Sequence, residues 1–459
     1  MAELSLKEIA TKIKGEIIQG SPEMSFHEFN IDSRLTMPGE LFFALIANRN
    51  GHDYIDSAIK KGAHGAVVSQ KVSIPQKNIA IIKVKDTQIA LQELAKQVLK
   101  EHDLKIVGIT GSTGKTTTKE FISSILEKKY KVLKSEGNLN NMLGLPLSIL
   151  KIEKQHKIAV LEMAMSSPGE IQRLTQIAPP DISVITNIAP VHLQFFKDIE
   201  QIAEAKKEIL YGTKSEGIAV LNGDDPLVNK IAQYWKGNKF YFGLSEECNV
   251  QASHIISSWD GMSFELISGN KKHKAHTSFF YRHYLYNLLA AAGTALVLSI
   301  PIGDIVNECN HLSPLKGRGK LIRLKTNIKV IDESYNSNPS ALKEALNNLT
   351  ELYSKRKIAV LGDMLELGKR EKTFHIQAGQ YLARLKWDIL ITVGPLGKFI
   401  AKGALSSGMN KNNVASFADP EEAGNRLLHI LKEGDLVLVK GSRGVKTDTI
   451  IEQLKKERL

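Results

Sequence analysis

The sequence predicts an α/β protein of three domains: a small mixed α/β N-terminal domain, a central parallel-sheet P-loop ATPase-like domain, and a C-terminal Rossmann-like α/β domain. Three observations predict it. The chain has 459 residues, and domains take roughly 100–200 residues each. From Leu104 onward, short runs of β-branched residues alternate with helical stretches, the pattern of a parallel sheet covered on both faces. One such run, Ile106–Thr110, ends in a glycine-rich turn that leads through Lys115-Thr116-Thr117 into a helix-forming segment.

In chain order, residues 1–102 read as the N-terminal domain. Asp32-Ser33-Arg34 precedes a turn at Met37-Pro38-Gly39, and strand-like Leu41–Leu45 follows. Asn50-Gly51-His52-Asp53 leads to a helical stretch over Tyr54–Lys61 and a short strand near Ala66–Val68. The polar segment Lys100–Asp103 reads as a linker. Residues 103–313 form the central domain, with strands expected at Lys105–Thr110, Ile158–Glu162, Ile182–Thr186 and Ile218–Leu221. Residues 314–459 form the third domain, with strands expected at Ile328–Ile331, Ile358–Leu361, Ile389–Val393 and Leu436–Val439. Its first strand lacks a following Gly-x-Gly-x-x-Gly turn, so dinucleotide binding is not indicated.

Composition narrows the function classes. A 42% hydrophobic share is ordinary for a globular chain. The two cysteines, Cys248 and Cys309, have no metal-type spacing, and a disulfide framework is not expected, which suits a reducing cytoplasm. The first residues carry acids early and lack an apolar segment, so no signal peptide is expected. The longest apolar stretch, Leu288–Ile300, falls short of the ~20 residues that span a bilayer. The net charge of +12 comes from scattered lysines and arginines without interleaved aromatics, which favours attraction of small anions over nucleic-acid binding.

The turn after Ile106–Thr110 is a phosphate cradle. Backbone N–H groups of such a turn and of the next helix N-terminus converge on an anion. Lys115 can reach terminal phosphates, and the Thr116 hydroxyl can hold Mg²⁺. Five residues rather than four separate Gly108 from Gly114, so the working core is Gly111-Ser112-Thr113-Gly114-Lys115-Thr116. Glu162 ends a strand at the same sheet edge, and a carboxylate there can share the metal with Thr116. His192 lies on a loop beyond a strand's carboxyl end, within reach of phosphates or metal. Lys206 and Lys207 sit side by side on a helix; composition alone reads them as a solvated basic patch, one of which can face the site.

With these pieces placed, the chain resembles the Mur ligase superfamily, most closely its D-alanyl-D-alanine-adding branch. The resemblance rests on Asp32-Ser33-Arg34 with Pro38–Leu45, the Thr110–Thr116 loop, Asn138–Asn141 with Gly144-Leu145-Pro146, and Glu162. It continues through Asn187–His192, Ala205–Ile209, Leu221–Asp225, and His283 and Asn287 before Leu288–Ala291. Gly317-Arg318, Asp332–Pro339, Leu361–Gly368 and Lys440–Gly444 complete it. The Ser334–Pro339 and Leu361–Gly368 runs separate this branch from its sister ligases.

The resemblance implies roles. Thr110, Gly111, Ser112, Thr113, Gly114, Lys115 and Thr116 would hold the ATP phosphates, with Asn287, Arg318 and Glu333 as further nucleotide contacts. Lys115, Lys206, His192 and Glu162 would be catalytic, and Thr116, Glu162, His192 and Lys206 would serve a pair of Mg²⁺ sites. Lys206 would be carbamylated, which turns a cation into a metal-binding anion. Ser33 would contact uridine, and Asn138, Asn141, Tyr335 and Asn336 would contact substrate. The implied reaction joins D-alanyl-D-alanine to UDP-N-acetylmuramoyl-tripeptide through an acyl phosphate, in a cytoplasmic monomer that neither binds nucleic acid nor inserts stably in a membrane.

Four departures from the superfamily pattern stand out. Gln194 replaces a Glu, Phe195-Phe196-Lys197 replaces a glycine-containing turn, Tyr281 and Tyr284 stand where Gly and Asn are usual, and Glu333 is a methylene longer than the usual Asp. Rival readings are a sister or folate-type polyglutamate ligase, against which the Asp332–Pro339 run argues, a silent nucleotide-binding scaffold, and a small-molecule kinase.

Overall fold

The computed structural model describes residues 3–191 and 195–458. Its N-terminal part is built on a five-stranded sheet in the order Glu16–Gln19, Ala80–Lys83, Gly65–Val68, Leu41–Phe43, Phe29–Asn30. The first pair is antiparallel and the others are parallel. The strand expected over Leu41–Leu45 stops at Phe43, because Leu45 turns back to receive the Gly51 N–H at 2.7 Å. The helix expected over Tyr54–Lys61 is a short 3₁₀ turn, Gly51–Tyr54, followed by a helix over Ile55–Lys60.

The central part is a nine-stranded sheet. Third from one edge is β1 (Lys105–Thr110), flanked by β2 (Ile158–Glu162) on one side and β3 (Ile182–Ile185) on the other, with β4 (Ile218–Asn222) beyond β3. After β1 the chain passes to the edge strand Val132–Lys134, returns to β2, then crosses to β3. Connections therefore leave β1 in opposite directions, and the crevice at its carboxyl end is the topological switch point where α/β sheets bind ligands. The expected strand over Ile182–Thr186 ends at Ile185, since the Thr186 hydroxyl is drawn to the Thr113 carbonyl at 2.6 Å. Beyond Asn238–Gly243 the sheet continues into Val250–Ser258, Gly261–Ser268 and Lys271–Thr277, whose last two pairings are antiparallel. The alternation of strands with helices did not mark this arm.

Alternate residues of the parallel strands go to opposite cores, as expected when both faces are covered. Val107, Ile109, Val160, Val184 and Val220 pack with α1 (Lys115–Leu126) and α3 (Arg282–Val297). Ile106, Ala159, Leu161, Ile185 and Leu221 pack with α2 (Ile199–Gly212) and with N-terminal residues such as Leu91 and Leu94. The apolar run at Leu288 belongs to α3, which is buried nearly all round, as a helix apolar on every side must be. Among the described residues no helix is long and apolar enough to cross a membrane.

The C-terminal sheet runs in the order Lys320–Leu324, β5 (Ile328–Glu333), β7 (Asp435–Lys440), β6 (Arg356–Gly362), Ile389–Val393, Val414–Phe417, antiparallel only at the first pair. Asn338 caps α4 (Pro339–Thr350) by accepting the Ala341 N–H at 2.9 Å. Leu342 and Leu346 of α4 join the same core as α3, so the central and C-terminal parts share buried apolar surface.

Candidate active site

The cradle is fixed by its neighbours. A Cβ on Gly111 would collide with the Thr186 hydroxyl, and one on Gly114 with the Asn287 amide. Gly114 also has φ +81°, in the left-handed region that favours glycine. Asn187 braces the loop: its carbonyl oxygen accepts the Thr113 N–H at 3.0 Å and its amide donates to Thr113 Oγ1 at 2.8 Å. Ser112 is tied to Ala189 in both directions, at 2.9 and 2.8 Å. The N-cap residue of α1 is Gly114, which has no side chain to cap it, so the helix dipole and first N–H groups face the cradle. Thr110 is fully buried, and its hydroxyl has no partner among the described residues.

Lys115 folds back so that its ammonium donates to the Gly111 carbonyl at 2.8 Å. Burial lowers its pKa; the Glu162 carboxylate opposes this and the Arg318 charge adds to it. Glu162, at the end of β2 and paired in register with Ile109, accepts the Thr116 hydroxyl at 2.9 Å on one oxygen and the Asn140 amide at 2.9 Å on the other. Asn140 is a site residue whose role the sequence pattern did not reveal, although it lies inside the quoted Asn138–Asn141 run. Asn138 and Asn141 are exposed, and the Asn141 oxygen is spent on the Leu143 and Gly144 N–H groups at 3.1 and 2.9 Å. A buried carboxylate beside a hydroxyl fits a hard divalent cation that takes its remaining ligands from phosphate and water. Among the described residues no three His, Cys, Asp or Glu cluster as a self-sufficient metal cage. His192 and Gln194 lie outside the described residues.

The lysine pair is not the solvated patch that composition suggests, because both side chains are buried. Lys206 is 2% exposed. Burial, reinforced by the Lys115 charge, holds its pKa well below the ordinary lysine value and favours the neutral amine. Lys207 points elsewhere, ion-paired with Glu204 and 4.0 Å from the Tyr234 ring centroid, so it stays charged. Glu208, on the next position, accepts the Gly169 and Gln172 N–H groups at 2.7 and 3.0 Å and locks the register of α2.

Of the C-terminal residues, Arg318 lies near enough for its charge to act on Lys115, and the others bond mostly to each other. The Arg318 guanidinium stacks 4.1 Å from the Tyr335 ring centroid, with Arg443 at 5.4 Å. Glu333 does not present a free carboxylate: it accepts the Lys440 ammonium at 2.6 Å. Lys440 also donates to the Asn336 carbonyl at 3.0 Å. Asp332, which had no separate role from the sequence, binds the Gly317 N–H at 3.0 Å and the Ser334 hydroxyl at 2.6 Å. Asn287 accepts the Thr118 hydroxyl at 3.4 Å beneath Gly114.

Ser33 stands apart from the cradle, in a loop of the N-terminal sheet, and is buried. Glu40 closes that loop by accepting the Asn30 amide and the Met37 N–H, both at 2.9 Å. The Arg34 guanidinium, forked onto Asp32, holds that carboxyl at about 2.

This fold and crevice define a P-loop nucleotide-dependent enzyme with a domain on either side of the phosphate site. Three family models match along the chain: "Mur ligase family, catalytic domain" over residues 25–99, "Mur ligase middle domain" over 109–295, and "Mur ligase, glutamate ligase domain" over 317–443. The chain belongs to the Mur ligase family. It is 36% identical to the UDP-N-acetylmuramoyl-tripeptide–D-alanyl-D-alanine ligase of Bacillus subtilis (strain 168), covering 99% of each chain. Among solved structures, it matches MurF from Acinetobacter baumannii with TM-score 0.89 and 28% identity over the whole of both chains. It also matches the Thermotoga maritima MurF ligase, solved in complex with ADP, with TM-score 0.81 and 32% identity over 94% of this chain and 97% of that one.

Proposed function

We propose that this chain joins D-alanyl-D-alanine to UDP-N-acetylmuramoyl-tripeptide at the expense of ATP, making the UDP-muramoyl pentapeptide of peptidoglycan synthesis. The observation that carries the reading is similarity along the whole chain to a ligase bearing that name; the cradle geometry supports it. A carboxylate is a poor electrophile, so the terminal carboxylate of the tripeptide must first gain a leaving group. ATP supplies it: the carboxylate oxygen attacks the γ-phosphorus, ADP departs, and an acyl phosphate forms. The dipeptide amine then attacks the acyl carbon, and the tetrahedral intermediate collapses to an amide with loss of phosphate and a proton.

Each residue has a task in this reading. The Thr110–Thr116 backbone and Lys115 hold the phosphates and stabilise charge as it spreads. Arg318 lies in the hinge, the Gly317–Gly319 segment between the central and C-terminal parts, and adds a second cation. Thr116 and Glu162 would hold Mg²⁺, which supplies further charge neutralisation at the phosphates. Neutral Lys206 can take up CO₂, with a new N–C bond and loss of a proton, which replaces a potential cation by an anion beside the metal site. Ser33 and its loop bind the uridine end of the substrate. Asn138, Asn141, Tyr335 and Asn336 line the path of the peptide, and apposition of the last two domains excludes water from the labile acyl phosphate. The same reading makes the protein a cytoplasmic monomer.

The test is a mass-spectrometric assay with ATP, the UDP-tripeptide and D-alanyl-D-alanine. The pentapeptide should appear with ADP in equal amounts, and ADP release should need both acceptors. A stable phosphorylated product without amide would make the protein a kinase, and no turnover would make it a scaffold.

A further inference from the structure

Helix α3 touches the cradle and the hinge at once. Asn287 lies beneath Gly114, and Tyr284, three residues earlier, shares its face of the helix. The Tyr284 hydroxyl donates to the backbone carbonyl of Arg318. The chain there lies flat on two rings: a Cβ on Gly319 would sit 2.9 Å from the Tyr284 ring and hydroxyl and 3.0 Å from the Tyr281 ring. On its other side the hinge is tied to the C-terminal sheet. Gly317 and Gly319 donate to Asp332 at 3.0 and 2.8 Å, and Tyr335 donates to the Gly317 carbonyl at 3.0 Å. The Arg318 side chain leaves from between these anchors and stacks on Tyr335, and its charge is felt at Lys115. Tyr284 is 2% exposed, so water does not compete for this hydrogen bond. Across the same boundary His283 Nδ1 lies 3.2 Å from Glu344 Oε1, a pair held together only when the imidazole is protonated.

We propose that Tyr284 is a positioning residue for the nucleotide: its hydroxyl, bonded to the Arg318 carbonyl, fixes the hinge so that the Arg318 guanidinium stands beside the cradle lysine. It acts through Arg318 and not on the phosphates. The inference deepens the ATP-ligase reading and rests on it for the identity of the ligand.

Tyr284→Phe removes the hydroxyl and keeps the ring. The matched control is Tyr281→Phe, which removes an equally buried hydroxyl that has no hydrogen-bond partner among the described residues. In the full-length enzyme, Tyr284→Phe should raise the KM for ATP and the calorimetric Kd for ADP by about three- to tenfold, the worth of one buried hydrogen bond. The KM for the UDP-tripeptide should not move, and Tyr281→Phe should leave all three constants unchanged. Arg318→Ala should weaken ADP binding, and adding Tyr284→Phe to it should weaken it no further. Unchanged ADP affinity in Tyr284→Phe, equal effects of the two tyrosine variants, or full additivity with Arg318→Ala would each overturn the inference. Failure of the ligase reading shows differently, as absence of pentapeptide in the wild-type enzyme, and leaves the ADP titration interpretable.

Discussion

The phosphate cradle is made of residues contiguous in the chain, Thr110 to Thr118, braced by Thr186, Asn187 and Asn287 of the same domain. The hinge is assembled from Tyr284, Gly317–Gly319, Asp332 and Tyr335, drawn from both sides of a domain boundary. The side chains that brace the cradle directly all come from its own domain. The hinge delivers Arg318 only while both anchors hold. Damage to the cradle should therefore cost chemistry, and damage to the hinge should cost affinity.

Lys115→Ala is the sharpest way to break that contrast. It removes the cradle cation without opening a core, and should lower turnover by about 10²–10³-fold, the usual cost of one charge-stabilising donor. ADP release would show the loss, and an unchanged melting temperature would show the fold intact. Near-normal turnover would remove this loop as the ATP site.

Lys206→Ala should cost most of the activity, with acetate restoring part of it by returning an anion to the vacated space. Lys207→Ala should change turnover by no more than about threefold, since an ion pair of this kind contributes little. Steady-state rates with and without acetate check both. Equal, mild effects would make Lys206 an ordinary buried lysine.

Glu162→Gln keeps the contacts' shape and removes the charge. The Mg²⁺ concentration for half-maximal activity should rise by tenfold or more, on the order of what loss of a metal-site partner costs. An unchanged Mg²⁺ titration would exclude Glu162 from the metal site. Ser33→Ala should have a smaller and more selective effect, raising the KM for the UDP-substrate about three- to tenfold and sparing that for ATP. A rise in the ATP constant alone would reverse the division of labour between the N-terminal loop and the cradle.

The smallest effect concerns stability. Between the lowered folded pKa of Lys206 and the ordinary value of 10.5, the unfolded chain binds a proton that the folded protein does not. Wild-type stability therefore gains from Lys206 as pH rises through that window. In CO₂-free buffer Lys206→Met should melt above wild type near neutral pH, and the gap should narrow as pH approaches 10.5. Parallel melting curves across that range would mean that Lys206 keeps its charge when folded.

Much of this protein was written in short stretches of sequence. The alternation of β-branched runs with helices gave the parallel sheets, because burial on both faces leaves no polar alternation to confuse the pattern. The glycine turn at Gly111–Thr116 carries its own geometry, and Glu162 could be placed from the end of an apolar run, because parallel strands end together at one sheet edge. Other features depend on contacts far apart in the chain. Asn140 became a partner of Glu162 and Glu333 a partner of Lys440 only when separate segments met. Lys206 and Lys207 look alike as neighbours in sequence, yet adjacent helical positions face different surroundings: one is buried within reach of the Lys115 charge and the other meets Glu204 and Tyr234. Local propensity and spacing thus determined the fold class and the phosphate cradle. The charge state of Lys206, the occupation of Glu333 and the anchoring of the hinge by Tyr284 were decided by tertiary structure, because burial and long-range pairing are properties of the packed chain.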